Sequence, residues 1–166
     1  MNAPIAFRRL SPLGVDVLRA QSLRLPLRND SFDLIVDRHE EFSLSEVDRV
    51  LAAGGRFVTQ QVGRHNWREL RRHMPRMTDF GDLRSAYVRE FASRGFAVES
   101  LEHEFRVAYP SLGEFVFMLC IAPWEIPDFA VDRDLDSLLS FEAACLTQDG
   151  LVVTECRYLI VVRKPE

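Results

Sequence analysis

Lysine is almost absent from this chain: Lys164 is the only one, and every other fixed positive charge is an arginine. Cationic residues are still outnumbered, 21 against 25 acidic ones. A net charge of −4 excludes a module that grips nucleic acid through bulk electrostatics. Cysteine is scarce too. Cys120, Cys145 and Cys156 stand far apart in apolar surroundings and form no CxxC pair, so they read as structural thiols. His65, His73 and His103 share no metal-ligand spacing with them or with one another, and no metal site is expected. No run approaches the roughly eighteen apolar residues of a membrane span, and "MNAPIAFRRL" lacks the apolar core of a secretion signal. A cytoplasmic protein is the expectation. Nor is there a G-x-G-x-x-G run anywhere, so the usual backbone cradle for a dinucleotide is missing.

What is present is an ordinary globular composition, 47% apolar over 166 residues, enough for one domain with a sizeable core. The chain reads as alternating helix and strand. Residues 2–13 suggest a short helix ended by Gly14, and "VDVLRA" (15–20) a short strand. "SFDLIVD" (31–37) is apolar enough for a strand covered on both faces. In "SLSEVDRVLAAGG", Ser43 and Glu46 form a capping-box pattern, and Gly54-Gly55 closes the helix. "RFVTQQV" (56–62) follows as a strand, which implies a parallel pair with a right-handed crossover. Helices are then expected at "NWRELRRHM", at 82–94, in "SLGEFVFMLCIAPWEIP" as a buried helix, and in "DRDLDSLLSFEAACLTQDG". Strands are expected over 96–110 and 151–163. These last two, both long, suit antiparallel pairing at one edge of a mostly parallel sheet.

"LRLPLRNDSFDLIVDRH" followed by "EVDRVLAAGGRFVTQQVG" resembles the middle of class I S-adenosylmethionine-dependent methyltransferases, of the Methyltransferase-11-like kind. The likeness rests on Leu25, Pro26, Ser31, Phe32 and Asp33, then on Glu46, Val47, Arg49, Val50, Leu51, Gly54 and Gly55. Ala52-Ala53 stands where the family usually has Lys-Pro. The resemblance implies a Rossmann-like α/β sheet that lacks its first two strands: one partial domain, residues 1–166, running from the family's third strand to its seventh. It implies S-adenosyl-L-methionine as cofactor and a small-molecule methyl acceptor, with activity impaired by the truncation. In the family's sheet order the fourth strand lies beside the first, so Phe32–Asp37 is expected to have an open edge. Such an edge invites pairing with another chain, hence a homo-oligomer or a completing partner. The alternative is a non-catalytic remnant that uses this edge as an interaction module. A nicotinamide enzyme fits less well, since it needs the same glycines and no Tyr-x-x-x-Lys pair is present.

Ligands of open α/β sheets sit beyond the carboxyl ends of the strands, which selects the candidate residues. Gln21 and Ser22 follow the expected third strand, where the family contacts adenine. Asp37, Arg38 and His39 follow the fourth and are the remaining cofactor candidates. His39 is the candidate base, its ordinary pKa lying near neutrality, and Glu40 the catalytic partner that orients it or holds a cationic acceptor. Surface charges before a helix remain the alternative reading of these residues. Gln60 and Gln61, after the fifth strand, together with Tyr109 and Trp124, are candidate substrate contacts. The arginines of "GRHNWRELRRHMPR" suit either an acidic acceptor or a solvated helix face.

Overall fold

A computed structural model describes residues 3–166. Helix α1 (Ala3–Leu10) leads through a short turn of 3-10 helix to Gly14, and the Asn2 end of the expected helix lies outside the described residues. Strand β1 (Phe32–Arg38) pairs in parallel with β2 (Leu51–Val62) through the crossover helix α2 (Leu44–Val50). Helices α3 (Arg68–Arg71) and α4 (Leu83–Ser93) precede β3 (Ala97–Tyr109). After α5 (Leu112–Ile121) and α6 (Val131–Cys145), the two-residue β4 (Leu146–Thr147) turns into the long β5 (Gly150–Arg163). The strand order is β1-β2-β5-β3. Because β5 runs antiparallel to both β2 and β3, β1, β2 and β3 point the same way. The expected antiparallel pair thus forms one end of the sheet; the reversed strand is β5, and β3 lies outside it.

The registers explain which side chains meet. Ile35, Phe57, Val162 and Val98 stand in one row across the sheet, and Asp37, Thr59, Ile160 and Ser100 in the next. This face carries α2 and α4, which bury Leu44, Val47, Phe91 and Phe96 against Phe57, Tyr158, Ile160 and Val162. Phe91 is wholly buried, and its truncation to alanine would cost about 3–5 kcal/mol. A second core gathers Trp67, Leu70, Phe115, Leu138 and Phe141 around Leu151 and Val153, where α3, α5 and α6 cover the first half of β5. Among the described helices none is long and apolar enough to cross a membrane.

Helix starts follow the capping chemistry in the sequence. Ser43, Asp82 and Ser111 each accept a hydrogen bond from the backbone three residues on. The capping box at Ser43 is only half made, because Glu46 turns away to accept from Leu25 N–H and Arg49.

Four expectations are corrected. Residues 15–20 form no strand: no described strand lies beside them, and without a partner the segment gains no ladder hydrogen bonds. Helix α2 ends at Val50, and Leu51 is already extended; Gly54, at φ 71°, sits within β2 and bends it instead of closing the helix. Strand β1 is covered on one face only and, among the described strands, pairs with β2 alone, leaving Leu34 and Val36 exposed by 57% and 69%. Helix α5 buries Phe115 and Leu119 but turns Phe117 and Ile121 outward, as a one-sided helix must.

Candidate active-site cleft

A cleft of about 620 Å³ opens beyond the carboxyl ends of β1 and β2, between the two cores. Its floor is the covered sheet face, contributed by Gln61, Tyr158 and Glu102, which are register partners across β2, β5 and β3. Its walls are the segment after β1 (His39 to Glu41), the segment leading into α4 with Tyr87, and Trp124-Glu125.

The mouth is held by a small hydrogen-bond network. Asp37 accepts from Thr59 Oγ1 at 2.7 Å and from Gln61 Nε2 at 2.8 Å. The same Gln61 amide donates to the Glu40 carbonyl at 2.9 Å. Burial raises the Asp37 carboxyl above its ordinary value, opposed by these two hydrogen bonds and reinforced by Glu40. Two residues on, His39 adopts φ 57°, with its N–H donating to the Gln60 carbonyl at 3.0 Å. That left-handed conformation costs a non-glycine residue about 1–2 kcal/mol and swings the imidazole to the cleft rim. Burial, then Arg157 and Arg38, lowers the His39 pKa from 6.5, which favours the neutral, proton-accepting form of the ring.

The other candidates divide by strand parity. Asp37, Gln61 and Glu102 share the covered face, whereas Arg38 and Gln60 stand with Leu159 and Leu101 on the opposite one. Arg38 and Gln60 therefore face away from the cleft, a correction that follows from the period of two in a strand. Tyr109 shares the parity of Leu101. Its ring meets Phe115 edge-on at 5.1 Å and its hydroxyl donates to Glu155 at 2.7 Å, so it packs against the second core and does not line the cleft. Gln21 bridges to Arg24 in an exposed turn and does not reach the cleft. Ser22 in that turn donates a long 3.4 Å hydrogen bond to Glu40. Trp124 lines the cleft with 59% of its surface exposed. Of the arginines, Arg64 is paired with Asp79 at 3.0 Å, and Arg71 donates to the carbonyls of Met77 and Thr78. Arg76 is drawn away to Asp134.

Tyr87, Glu102, Glu125 and Tyr158 were not legible as site residues. Only the alternation of Glu102 and Tyr158 with apolar neighbours on long strands hints at a polar floor.

No family model and no curated protein matches the chain. Solved structures do. A putative methyltransferase from Bacillus halodurans superposes with a TM-score of 0.60 at 15% identity, over 97% of this chain and 87% of that one. YcgJ protein from Bacillus subtilis gives 0.58 at 20% identity, over 99% and 78%. The [4+2]-cyclase SpnF gives 0.50 at 17%, over 98% and 61%. The chain thus has a Rossmann-like α/β fold, shared with these proteins. A cyclase shares it, so the fold does not fix the reaction.

Proposed function

We propose that this chain carries the acceptor side of an S-adenosylmethionine-dependent methyltransferase that acts on a small molecule. The observation that supports it is the cleft over the carboxyl ends of β1 and β2, with His39 on its rim. The cofactor, when bound, supplies the methyl group from its sulfonium. The chain's own residues orient the acceptor, exclude water and, where the acceptor gives up a proton, take it on His39. Glu40, fixed through its carbonyl by Gln61 and through its carboxylate by Ser22, positions that end of the strand.

The fit to the cofactor is partial. Of the five residues expected to hold it, His39 alone among the described residues lines the cleft on this face, with Ser22 reaching it through Glu40. No described strand leads through a glycine-rich turn into a helix, so the nucleoside has no backbone cradle here. Isothermal titration with S-adenosylhomocysteine tests the reading. Micromolar binding that His39→Ala weakens is the expected result, and no heat at millimolar ligand overturns it.

One observation favours a second reading, an interaction module. The open edge of β1 presents unpaired backbone groups beside exposed Leu34 and Val36, and such an edge recruits another strand. Sedimentation over a range of concentrations tests this. Self-association that Val36→Lys abolishes supports pairing of two copies through β1, and a monomer at all concentrations argues against it.

A further inference from the structure

Glu125 is 93% removed from solvent, at 7% exposure, yet it lines the cleft. Among the described residues its carboxylate accepts no hydrogen bond and forms no ion pair; the hydrogen bonds at Glu125 are backbone ones, from its N–H to the Ala122 carbonyl and from Thr78 N–H to its own carbonyl. Those bonds, with Thr78 Oγ1 donating to the Trp124 carbonyl at 2.8 Å, hold the 124–125 corner rigidly against the 77–78 turn. The side chain is buried but its carboxylate oxygens are not among the fully buried unpartnered atoms, so they open onto the cleft with their lone pairs free for a ligand.

The other charges of the cleft indicate which ligand. Arg64 is neutralised by Asp79, and Arg84 lies 3.5 Å from Glu102. Arg71 is the remaining arginine on the wall, and both its terminal nitrogens are taken by backbone carbonyls at 3.2 and 3.1 Å. Against it stand four carboxylates that form no ion pair, Glu40, Glu41, Asp82 and Glu125, of which Glu125 feels Arg71 and Arg157 only through space. The walls between them are aromatic: Phe80 and Trp124 are 45% and 59% exposed, and Tyr87 lies beside them. Carboxylates with exposed π faces are the complement of an ammonium group.

We propose that the cleft takes a cationic amine, whose ammonium group is received by Glu125 while the rest of the molecule lies along Trp124 and Phe80. Resting on the methyltransferase reading, this makes the methyl acceptor an amine, whose nitrogen must give up a proton to a base, the role given to His39, before it can take the methyl group. Its own content is a recognition preference that needs no cofactor.

The test is a calorimetric or NMR titration of the full chain, without S-adenosylhomocysteine, using benzylamine, benzyl alcohol and benzoate as probes. Benzylamine, protonated at neutral pH, is expected to bind about tenfold more tightly than the alcohol, a difference of about 1.4 kcal/mol, and benzoate more weakly than either. Glu125→Gln keeps the shape and removes the charge, and it is expected to abolish the preference for the amine over the alcohol. Equal binding of amine and alcohol by the unsubstituted chain, or an undiminished preference in Glu125→Gln, overturns the proposal. The three-probe comparison on the unsubstituted chain stands whether or not the variant folds. Amine preference in a chain that ignores S-adenosylhomocysteine supports amine recognition and counts only against methyl transfer; cofactor binding without amine preference does the reverse.

Discussion

Arg49 donates to the Leu25 carbonyl at 2.9 Å, across 24 residues of chain. The same guanidinium reaches the Leu27 carbonyl at 2.7 Å, Asn29 Oδ1 at 3.0 Å and both oxygens of Glu46. Glu46 in turn accepts from Leu25 N–H at 2.7 Å, and the guanidinium beside it holds its carboxyl down to about 2. The two motifs that the sequence presents separately, the Leu-Pro turn and the Glu-Val-Asp-Arg helix, are one clamp. It fixes the loop that delivers the chain into β1.

Arg49→Lys is therefore expected to lower the melting temperature nearly as much as Arg49→Ala, because an ammonium cannot span acceptors set in a planar fork. Thermal melts of both variants check this. Full rescue by lysine would show that charge alone matters at the site.

That clamp also shows what the sequence discloses and what it hides. Local chemistry was readable: the cap at Ser43, the crossover from β1 to β2, and the position of His39 past a strand end. Assigning Gln60 and Gln61 together to the cleft failed because adjacent strand residues face opposite ways, and only the register with Leu159 and Tyr158 tells which is inside. The apolar run of β1 looked doubly buried, since composition records what a strand is able to bury and not how many layers cover it. Glu125 was invisible because the groups around it, Thr78 and the arginines of α3 and β5, are remote in sequence.

His39 is held at φ 57°, where glycine is at ease and alanine is not. His39→Gly is expected to be more stable than His39→Ala by about 0.5–1 kcal/mol, the left-handed penalty less the entropy that glycine gains on unfolding. Both variants should lose S-adenosylhomocysteine affinity alike. Urea melts with parallel titrations decide. Equal stabilities would mean that the backbone strain relaxes elsewhere, and binding retained by either variant would remove His39 from the site.

Gly63 closes β2 at the cleft floor, donating its N–H to the Cys156 carbonyl at 2.9 Å. A Cβ there would drive into Cys156 Sγ and lie 2.9 Å from Glu102 Oε1. Gly63→Ala should cost about 2–3 kcal/mol by overpacking. Cys156→Ala alone loses a small buried thiol, about 1 kcal/mol. With the sulfur gone the worst clash is removed and only the flexible end of Glu102 must shift, so the double variant should be more stable than the sum of the single losses predicts, by about 1 kcal/mol. Strict additivity in urea melts would show that the clash is relieved by backbone movement instead.

Asp134 is buried at the start of α6, accepting from Arg76 at 2.6 and 2.7 Å and from Ala130 N–H at 3.1 Å. Asp134→Ala leaves that N–H and the guanidinium unpaired and should cost about 2–3 kcal/mol. The Arg76 side chain is 39% exposed, so water takes over part of its role and the loss falls below that of a fully buried pair. Arg76→Ala, which strands the more buried partner, should be no milder. Chemical denaturation of both variants compares them, and a negligible loss in either would mean the pair is held by packing alone.

Glu125 links the cleft to pH. Burial raises its carboxyl above the ordinary 4.5, against the opposing pull of Arg71 from α3 and Arg157 from β5. A carboxyl raised by folding binds its proton more tightly in the folded state. Its contribution to stability is then complete below about 4.5 and is lost as pH rises through the folded value. Glutamine at this position has no proton to lose. The stability of Glu125→Gln relative to the unsubstituted chain should therefore increase from about pH 4 to about pH 7, all other titrating groups being common to both. Urea melts of the pair at each pH read the difference directly. A gap that stays constant would mean that Glu125 keeps its ordinary affinity for the proton, and a gap that shrinks would mean that the arginines outweigh its burial.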